Sequence, residues 1–223
     1  MNTHIHYLNL LILLATVYPV DMAQLIRTLT GKQRNKTYTN PLEDVQLMYM
    51  MFLGYVSLII LVAIVAPESI KIQRPTGIYW YVIAVAIAPL MIYMEYLVGY
   101  ITLRLTGHRP KGMIIQQHWK RASMLMVLLT IMCGISEEII FRQIWFYIMG
   151  IRMGIPMAFI MLITSLVYAL NHMYFGVYTM IQKMFTGIVL GILFIISGGS
   201  VLIPLIAHGS QNLIVAIMGG IKK

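Results

Sequence analysis

The sequence predicts an all-α, polytopic integral membrane protein with about seven transmembrane helices and a polar cavity among the later ones. Three observations lead there. Of its 223 residues, 60% are hydrophobic and only 10% charged, whereas soluble domains carry about 25% charged residues. The apolar residues gather into runs of about 20, the length at which a helix crosses the hydrocarbon core. Strands with open edges would leave backbone groups unsatisfied in lipid, so these runs are helices.

Seven stretches qualify. Tyr7–Ile26 is the weakest, interrupted by Pro19 and Asp21. Met1–His6 holds no Lys or Arg and no small-x-small cleavage site follows, so this run reads as a retained helix rather than a signal peptide. Leu47–Ala66 and Tyr79–Leu103 follow, the latter with Glu95, an acid at membrane depth that, like Asp21, is expected to snorkel or pair. Ser123–Met149 carries the densest polar group of the chain, and Ile155–Asn171 ends against His172. Tyr178–Ile196 contains Gly187 and Gly191, spaced to let another helix of the same chain approach closely. Val201–Met218 holds His208 and Asn212. The chain divides into residues 1–121, membrane helices with basic loops, and residues 122–223, the helices that bear the polar motifs, within one integral domain.

The net charge of +9 invites a nucleic-acid reading, but the 16 Lys and Arg fall mostly in short loops between apolar stretches, which is a topology signal. Arg27, Lys32, Arg34 and Lys36 lie in one loop, Arg104, Arg109, Lys111, Lys120 and Arg121 in another, and Lys222 and Lys223 at the C-terminus. All of these share one side, against Lys71, Arg74 and Arg152 on the other. The positive-inside rule then places the N-terminus outside and the C-terminus in the cytoplasm, and the small size points to a bacterial plasma membrane. The basic loops suit acidic lipid headgroups. On that topology the sequon Asn35–Thr37 is cytoplasmic and a chance match. The single cysteine, Cys133, excludes an intrachain disulfide. The oligomeric state is not legible.

Only a few intramembrane polar groups are costly enough to require a reason. Ser136–Gln143 (SEEIIFRQ) puts Glu137, Glu138 and Arg142 within six residues of a chain that has 7 acidic residues in all. A charged side chain at the bilayer centre costs roughly 2.5–3.5 kcal/mol on insertion scales unless it is paired, protonated or facing water. Glu138 and Arg142 are four apart, on one helical face, and a structural salt bridge accounts for both. Glu137 points about 100° away and is not explained by that pair; a buried carboxylate suits a general base. His172, alone at a helix end, reads as a satisfied interfacial residue. His208 and Asn212 share a face and could simply bond between helices. If all these groups converge, they supply what peptide hydrolysis needs: a base for water, a proton donor for the leaving amine and donors for the oxyanion. No His-Glu-x-x-His zinc motif and no Gly-x-Ser-x-Gly elbow is present.

Taken in order, Glu-Glu-x-x-x-Arg (Glu137, Glu138, Arg142), aromatic-x-x-x-His (Tyr168, His172) and His-x-x-x-Asn (His208, Asn212) resemble the three-motif signature of the CAAX-protease and bacteriocin-processing intramembrane proteases, also called the Abi family. The resemblance covers about Arg121 to Gly220; the first 120 residues share only hydrophobic helices with it. The second motif usually begins with Phe, and here it begins with Tyr168. The resemblance implies an intramembrane endopeptidase in which Glu137 activates water with help from His172, His208 and Asn212 stabilise the oxyanion, and Glu138, Arg142 and Tyr168 support them. It implies a mechanism that requires no cofactor, although Glu137, His172 and His208 could hold zinc with an open position. The implied substrate is a membrane-associated peptide or protein precursor, a bacteriocin or pheromone peptide or a CAAX-type protein. The alternatives are a non-catalytic immunity or partner-binding membrane protein that uses the polar cluster for packing, and a proton-coupled transporter, against which no internal repeat is visible.

Geometry sets a test. In straight, upright helices Glu137 would sit roughly 21 Å from the cytoplasmic start of its helix, His172 roughly 25 Å from the outer end of the next, and His208 only roughly 10 Å below that outer surface. Convergence requires tilt, a broken helix or shifted boundaries, with bends expected at Gly198–Gly199 and Pro204.

Overall fold

The computed structural model describes residues 3–17, 41–108, 122–173 and 176–220. Ten of the basic loop and C-terminal residues named above (Arg27, Lys32, Arg34, Lys36, Arg109, Lys111, Lys120, Arg121, Lys222 and Lys223) lie outside these residues, as do Pro19, Asp21 and the Asn35–Thr37 sequon. The described chain is all-α: α1 (Thr3–Val17), α2 (Pro41–Val65), α3 (Tyr79–Leu105), α4 (Met124–Glu138), α5 (Met157–Leu170), α6 (Val177–Ile196) and α7 (Leu202–Gly219). A 3-10 turn at Pro67–Ile70 follows α2, and α4 runs on through two π-helical segments, Ile139–Ile144 and Tyr147–Arg152.

Among the described residues, five helices are long and apolar enough to cross a membrane: Val45–Val65, Tyr79–Leu105, Met124–Arg152, Val177–Ile196 and Leu202–Gly219. Seven α-helices are present among the described residues, as expected, and two of them are shorter than these five. The described part of the first stretch is a helix of 15 residues and the fifth is a helix of 14, both short of the ~20 a span needs. Helix α5 stops early for a reason inside the bundle. It starts after Pro156 and ends at Asn171, whose side-chain amide donates to the Val167 carbonyl and to the Val17 carbonyl at the end of α1. The helix therefore finishes at the depth of the polar cluster.

Because lipid is as apolar as a protein core, these helices need little amphipathicity, and their outer faces expose large residues such as Leu53, Ile60 and Ile64 on α2 and Val82, Val85 and Leu90 on α3. Helix α4 is the exception. Ser123 caps its N-terminus by accepting a bond from the Met126 amide. Ile140, Phe141, Ile144 and Ile148 along its π-helical extension are all fully buried. Helix α6 packs on α5 through the two glycines singled out above. A Cβ on Gly187 would lie 3.0 Å from the Ser165 Cα, and one on Gly191 would lie 2.8 Å from the Met161 Cγ.

The hairpins are staggered, and the stagger brings the motifs together. The turn between α6 and α7 does not reach the level of the α4–α5 turn at Met153–Pro156. Phe194, near its start, packs edge-on against Phe146 with ring centroids 4.9 Å apart, which leaves α4 about two helical turns further to run. Ser197, Ser200 and Val201 in this turn are fully buried under the segment that precedes α3. The Ser200 hydroxyl donates to the Gln73 carbonyl (2.8 Å), the Thr76 amide donates to the Ser197 carbonyl (3.1 Å), and Gln143 donates to the Lys71 carbonyl (3.2 Å). Gly198 and Gly199 form the turn itself at φ 86 and 77, conformations that glycine adopts at low cost. Pro204 bends nothing: it sits in the first turn of α7, where the missing amide is no loss. His208 therefore follows a turn whose Ser197, Ser200 and Val201 are packed under residues 73–76.

Candidate active site

Glu137 and Glu138 are the last residues of α4 before its first π-helical segment. There the ladder shifts to i→i+5, with the Trp145 amide bonding the Ile140 carbonyl. Single π turns inside α-helices are frequent at functional sites, and this one carries Arg142.

Glu138 and Arg142 are both 0% exposed. The Arg142 Nη1 donates to Glu138 Oε1 (3.3 Å), its Nε lies 3.1 Å from Oε2, and its Nη2 donates to the Gly187 carbonyl on α6 (3.0 Å). The guanidinium carbon stands 4.9 Å from the centre of the Tyr168 ring, a cation–π distance. The fourth partner comes from α7: His208 Nδ1 lies 2.9 Å from Glu138 Oε1. A carboxylate oxygen accepts, so Nδ1 carries the proton and Nε2 is the nitrogen left to face other groups. Glu138 thus ties α4 to α7 directly and, through Arg142, to α5 and α6.

Gly134 makes the approach of α7 feasible. A Cβ there would meet Asn212 Nδ2 at 3.0 Å, His208 Cε1 at 3.3 Å and His208 Nδ1 at 3.4 Å. The imidazole and the amide therefore rest on the backbone of α4 one turn before the two glutamates. Asn212 Nδ2 donates to the Thr130 carbonyl at 3.4 Å.

Tyr168, fully buried, is the hub between the two histidines. Its ring lies 4.7 Å from that of His172, 6.1 Å edge-on from that of His208, and 5.9 Å edge-on from Phe141. Its hydroxyl has no hydrogen-bond partner among the described residues. His172 Nδ1 lies 2.9 Å from the Tyr168 carbonyl. A carbonyl can only accept, so this proton also sits on Nδ1, and Nε2 holds a lone pair in the neutral ring.

Glu137 faces the other way, as the ~100° step around the helix requires. It is 6% exposed, and its Oε1 accepts a 2.9 Å hydrogen bond from the hydroxyl of Tyr55, a fully buried residue of α2. No hydrogen bond is made to Oε2 among the described residues. The seven sequence-derived site residues thus occupy one region. Glu138, Arg142, Tyr168 and His208 are in mutual contact, Asn212 lies beside His208, and His172 stacks on Tyr168. Glu137 stands next in the chain to Glu138, turned toward α2.

Sequence reading missed Tyr55. It lies in an uninterrupted apolar run with a second tyrosine, Tyr49, which is exposed, and nothing in the spacing separates the two. Glu95, read as snorkelling or paired, is paired: Lys183 Nζ (2.7 Å) and Thr186 Oγ1 (2.6 Å), both on α6, bond to its Oε1. Among the described residues no three His, Cys, Asp or Glu side chains are disposed to hold a metal ion, the set of Glu137, His172 and His208 included.

Residues 119–214 match the family model described as Rce1-like, type II CAAX prenyl endopeptidase Rce1-like. The match takes in α4 to α6 and most of α7, with all seven site residues, and leaves Tyr55 outside. No curated protein and no solved structure matches the chain.

Proposed function

We propose that this chain, which carries an Rce1-like type II CAAX prenyl endopeptidase domain over residues 119–214 and so belongs among proteases, hydrolyses a peptide bond in a membrane-associated peptide or protein precursor with a glutamate-activated water. The observation that carries the mechanism is the seating of His208 and Asn212 on Gly134, one turn before Glu137 and Glu138. A base and two oxyanion donors then come from two helices joined by the buried Glu138–His208 hydrogen bond.

In this reading Glu137 Oε2 takes a proton from water as the water oxygen attacks the scissile carbonyl carbon. The charge that develops on the carbonyl oxygen is met by the Asn212 amide and by the His208 ring, whose Nε2 donates when the ring carries both protons. One preorganised oxyanion donor is worth ~10²–10³ in rate. Collapse of the tetrahedral intermediate breaks the C–N bond, and the proton gained by Glu137 passes to the leaving amine, with His172 Nε2 able to carry it. Arg142 holds the Glu138 carboxylate, and Glu138 keeps His208 in place. No step requires a metal. The chain sits in a bacterial plasma membrane with its N-terminus outside. Its substrates are peptide precursors of the bacteriocin or pheromone kind, or CAAX-type proteins.

The test is reconstitution in liposomes with a panel of membrane-anchored peptides, lipidated CAAX peptides and unmodified leader peptides, read by mass spectrometry. Cleavage lost in Glu137→Gln and retained with a chelator supports the mechanism. Loss with chelator and recovery with zinc replaces the glutamate mechanism with a metal one. Full function in cells for Glu137→Gln replaces the enzyme with an immunity or partner-binding protein, in which the Glu138–Arg142–His208 cluster serves packing alone.

A further inference from the structure

We infer that Tyr55, on a helix outside the family-matched segment, is the positioning residue for Glu137: its hydroxyl holds one carboxylate oxygen and leaves the other turned to the reacting water. This rests on the hydrolytic reading above and deepens it.

Glu137 is a flexible side chain, and the ion-pair contacts beside it belong to its neighbour. Glu138 has Arg142 and His208. Glu137 has the 2.9 Å bond from Tyr55 to Oε1 and, among the described residues, no other hydrogen bond. Hydrogen bonds to an ionised acceptor are roughly twice as strong as neutral ones, and this bond lies where the donor is 0% and the acceptor 6% exposed, so water does not compete for it. One fixed oxygen sets the plane of the carboxylate and therefore the direction of the lone pairs on Oε2. A general base must be held within hydrogen-bond reach of the proton it removes, and a misplacement of about 1 Å can cost ~10²-fold.

The helix that carries Tyr55 is itself pinned to α4. Cys133, one turn before Glu137, donates through Sγ to the Met48 carbonyl of α2 at 3.7 Å. Met48, Met51 and Tyr55 are all buried on the same face, at helical spacing. The first half of the chain, whose helices resemble nothing beyond hydrophobic spans, thus supplies an oriented donor to the base. Its hydroxyl is the only part of Tyr55 that reaches chemistry; the ring is packing.

The experiment uses the full-length protein in liposomes and two readouts. The first needs no substrate. The infrared carboxylate band of Glu137 is isolated as the difference between wild type and Glu137→Gln, then measured in Tyr55→Phe. The inference expects the band to move and an unmoved band overturns it. The second is cleavage of whichever panel peptide the wild type cuts. Tyr55→Phe is expected to lower kcat roughly 10- to 100-fold with KM within about twofold, the split that marks an interaction made in the transition state. A rise in KM at unchanged kcat, or wild-type kcat, overturns the inference. Thermal melting separates a folding defect: in the Glu137→Leu background, where no side-chain acceptor remains, Tyr55→Phe should melt no lower than Glu137→Leu alone. A lower melting temperature there assigns the hydroxyl to packing and overturns the inference. Cleavage that survives Glu137→Gln removes the hydrolytic reading instead, and the infrared band still decides the contact.

Discussion

Two acids on the helices of this molecule, Glu95 and Glu138, are paired with bases, and they differ in burial and in reach. On α3, Glu95 is met by Lys183 and Thr186 of α6, with ion-pair side chains 19% and 17% exposed. Both partners bond to its Oε1 and both come from α6. On α4, the Glu138–Arg142 pair is 0% exposed on both sides and reaches Gly187, Tyr168 and His208 on three further helices. Beside it stands a second acid, Glu137, with one oxygen bonded to Tyr55 and the other unbonded among the described residues. A partly exposed pair between two helices holds them together. A fully buried cluster that draws on four helices and stands beside a second acid gathers the groups that a substrate would need.

The comparison can be broken most sharply at Glu137. Glu137→Gln keeps the shape and removes the base, so peptide cleavage should fall ~10²–10⁴-fold, the usual contribution of a positioned general base, at unchanged melting temperature. Next is Glu138→Ala. It strands the Arg142 guanidinium, and removing one partner of a fully buried pair typically costs about 3–5 kcal/mol, so thermal or denaturant unfolding in detergent should show a collapse of stability as well as of activity. Gly134→Ala separates geometry from charge: a methyl 3.0 Å from Asn212 Nδ2 pushes α7 back by a few tenths of an ångström. The expected result is a kcat reduction of about 10-fold with little change in unfolding. At the other cluster, Glu95→Gln should cost at most about 1 kcal/mol, because partly exposed pairs contribute little and Lys183 can turn its ammonium toward water; kcat should be unaffected. A loss of cleavage there would erase the distinction between the two clusters. The smallest effect is expected of Tyr168→Phe, since a buried hydroxyl without a partner carries only a desolvation cost: melting should stay level or rise by about 1 kcal/mol. A strong kcat loss would show that this hydroxyl meets the substrate.

Much of the site was readable because membrane composition makes polar residues conspicuous. Glu137, Glu138 and Arg142 stand out in a helix of Ile, Leu and Met for the same reason that they need partners. The spacing of Glu138 to Arg142 and of His208 to Asn212 already placed each pair on one face. What spacing could not carry was depth. It assigned the α6–α7 turn to the surface and set His208 apart from Glu137, whereas that turn is buried under residues 73–76. It also counted α5 among the spans, although at 14 residues this helix is shorter than one. Tyr55 had no signature at all, because an aromatic residue in an apolar run reads as packing until its hydroxyl is seen against an acid.

Composition and periodicity alone determined that this protein is a bundle of membrane helices and which few side chains in it are too polar to be there without cause. Both follow from local chemistry, the transfer cost of each residue and the 3.6-residue turn. Which of those side chains meet, and which oxygen of Glu137 remains open, was decided by the tertiary structure alone. Hairpin stagger, π-helical register and the missing Cβ of Gly134 act between helices distant in sequence, where no spacing rule reaches.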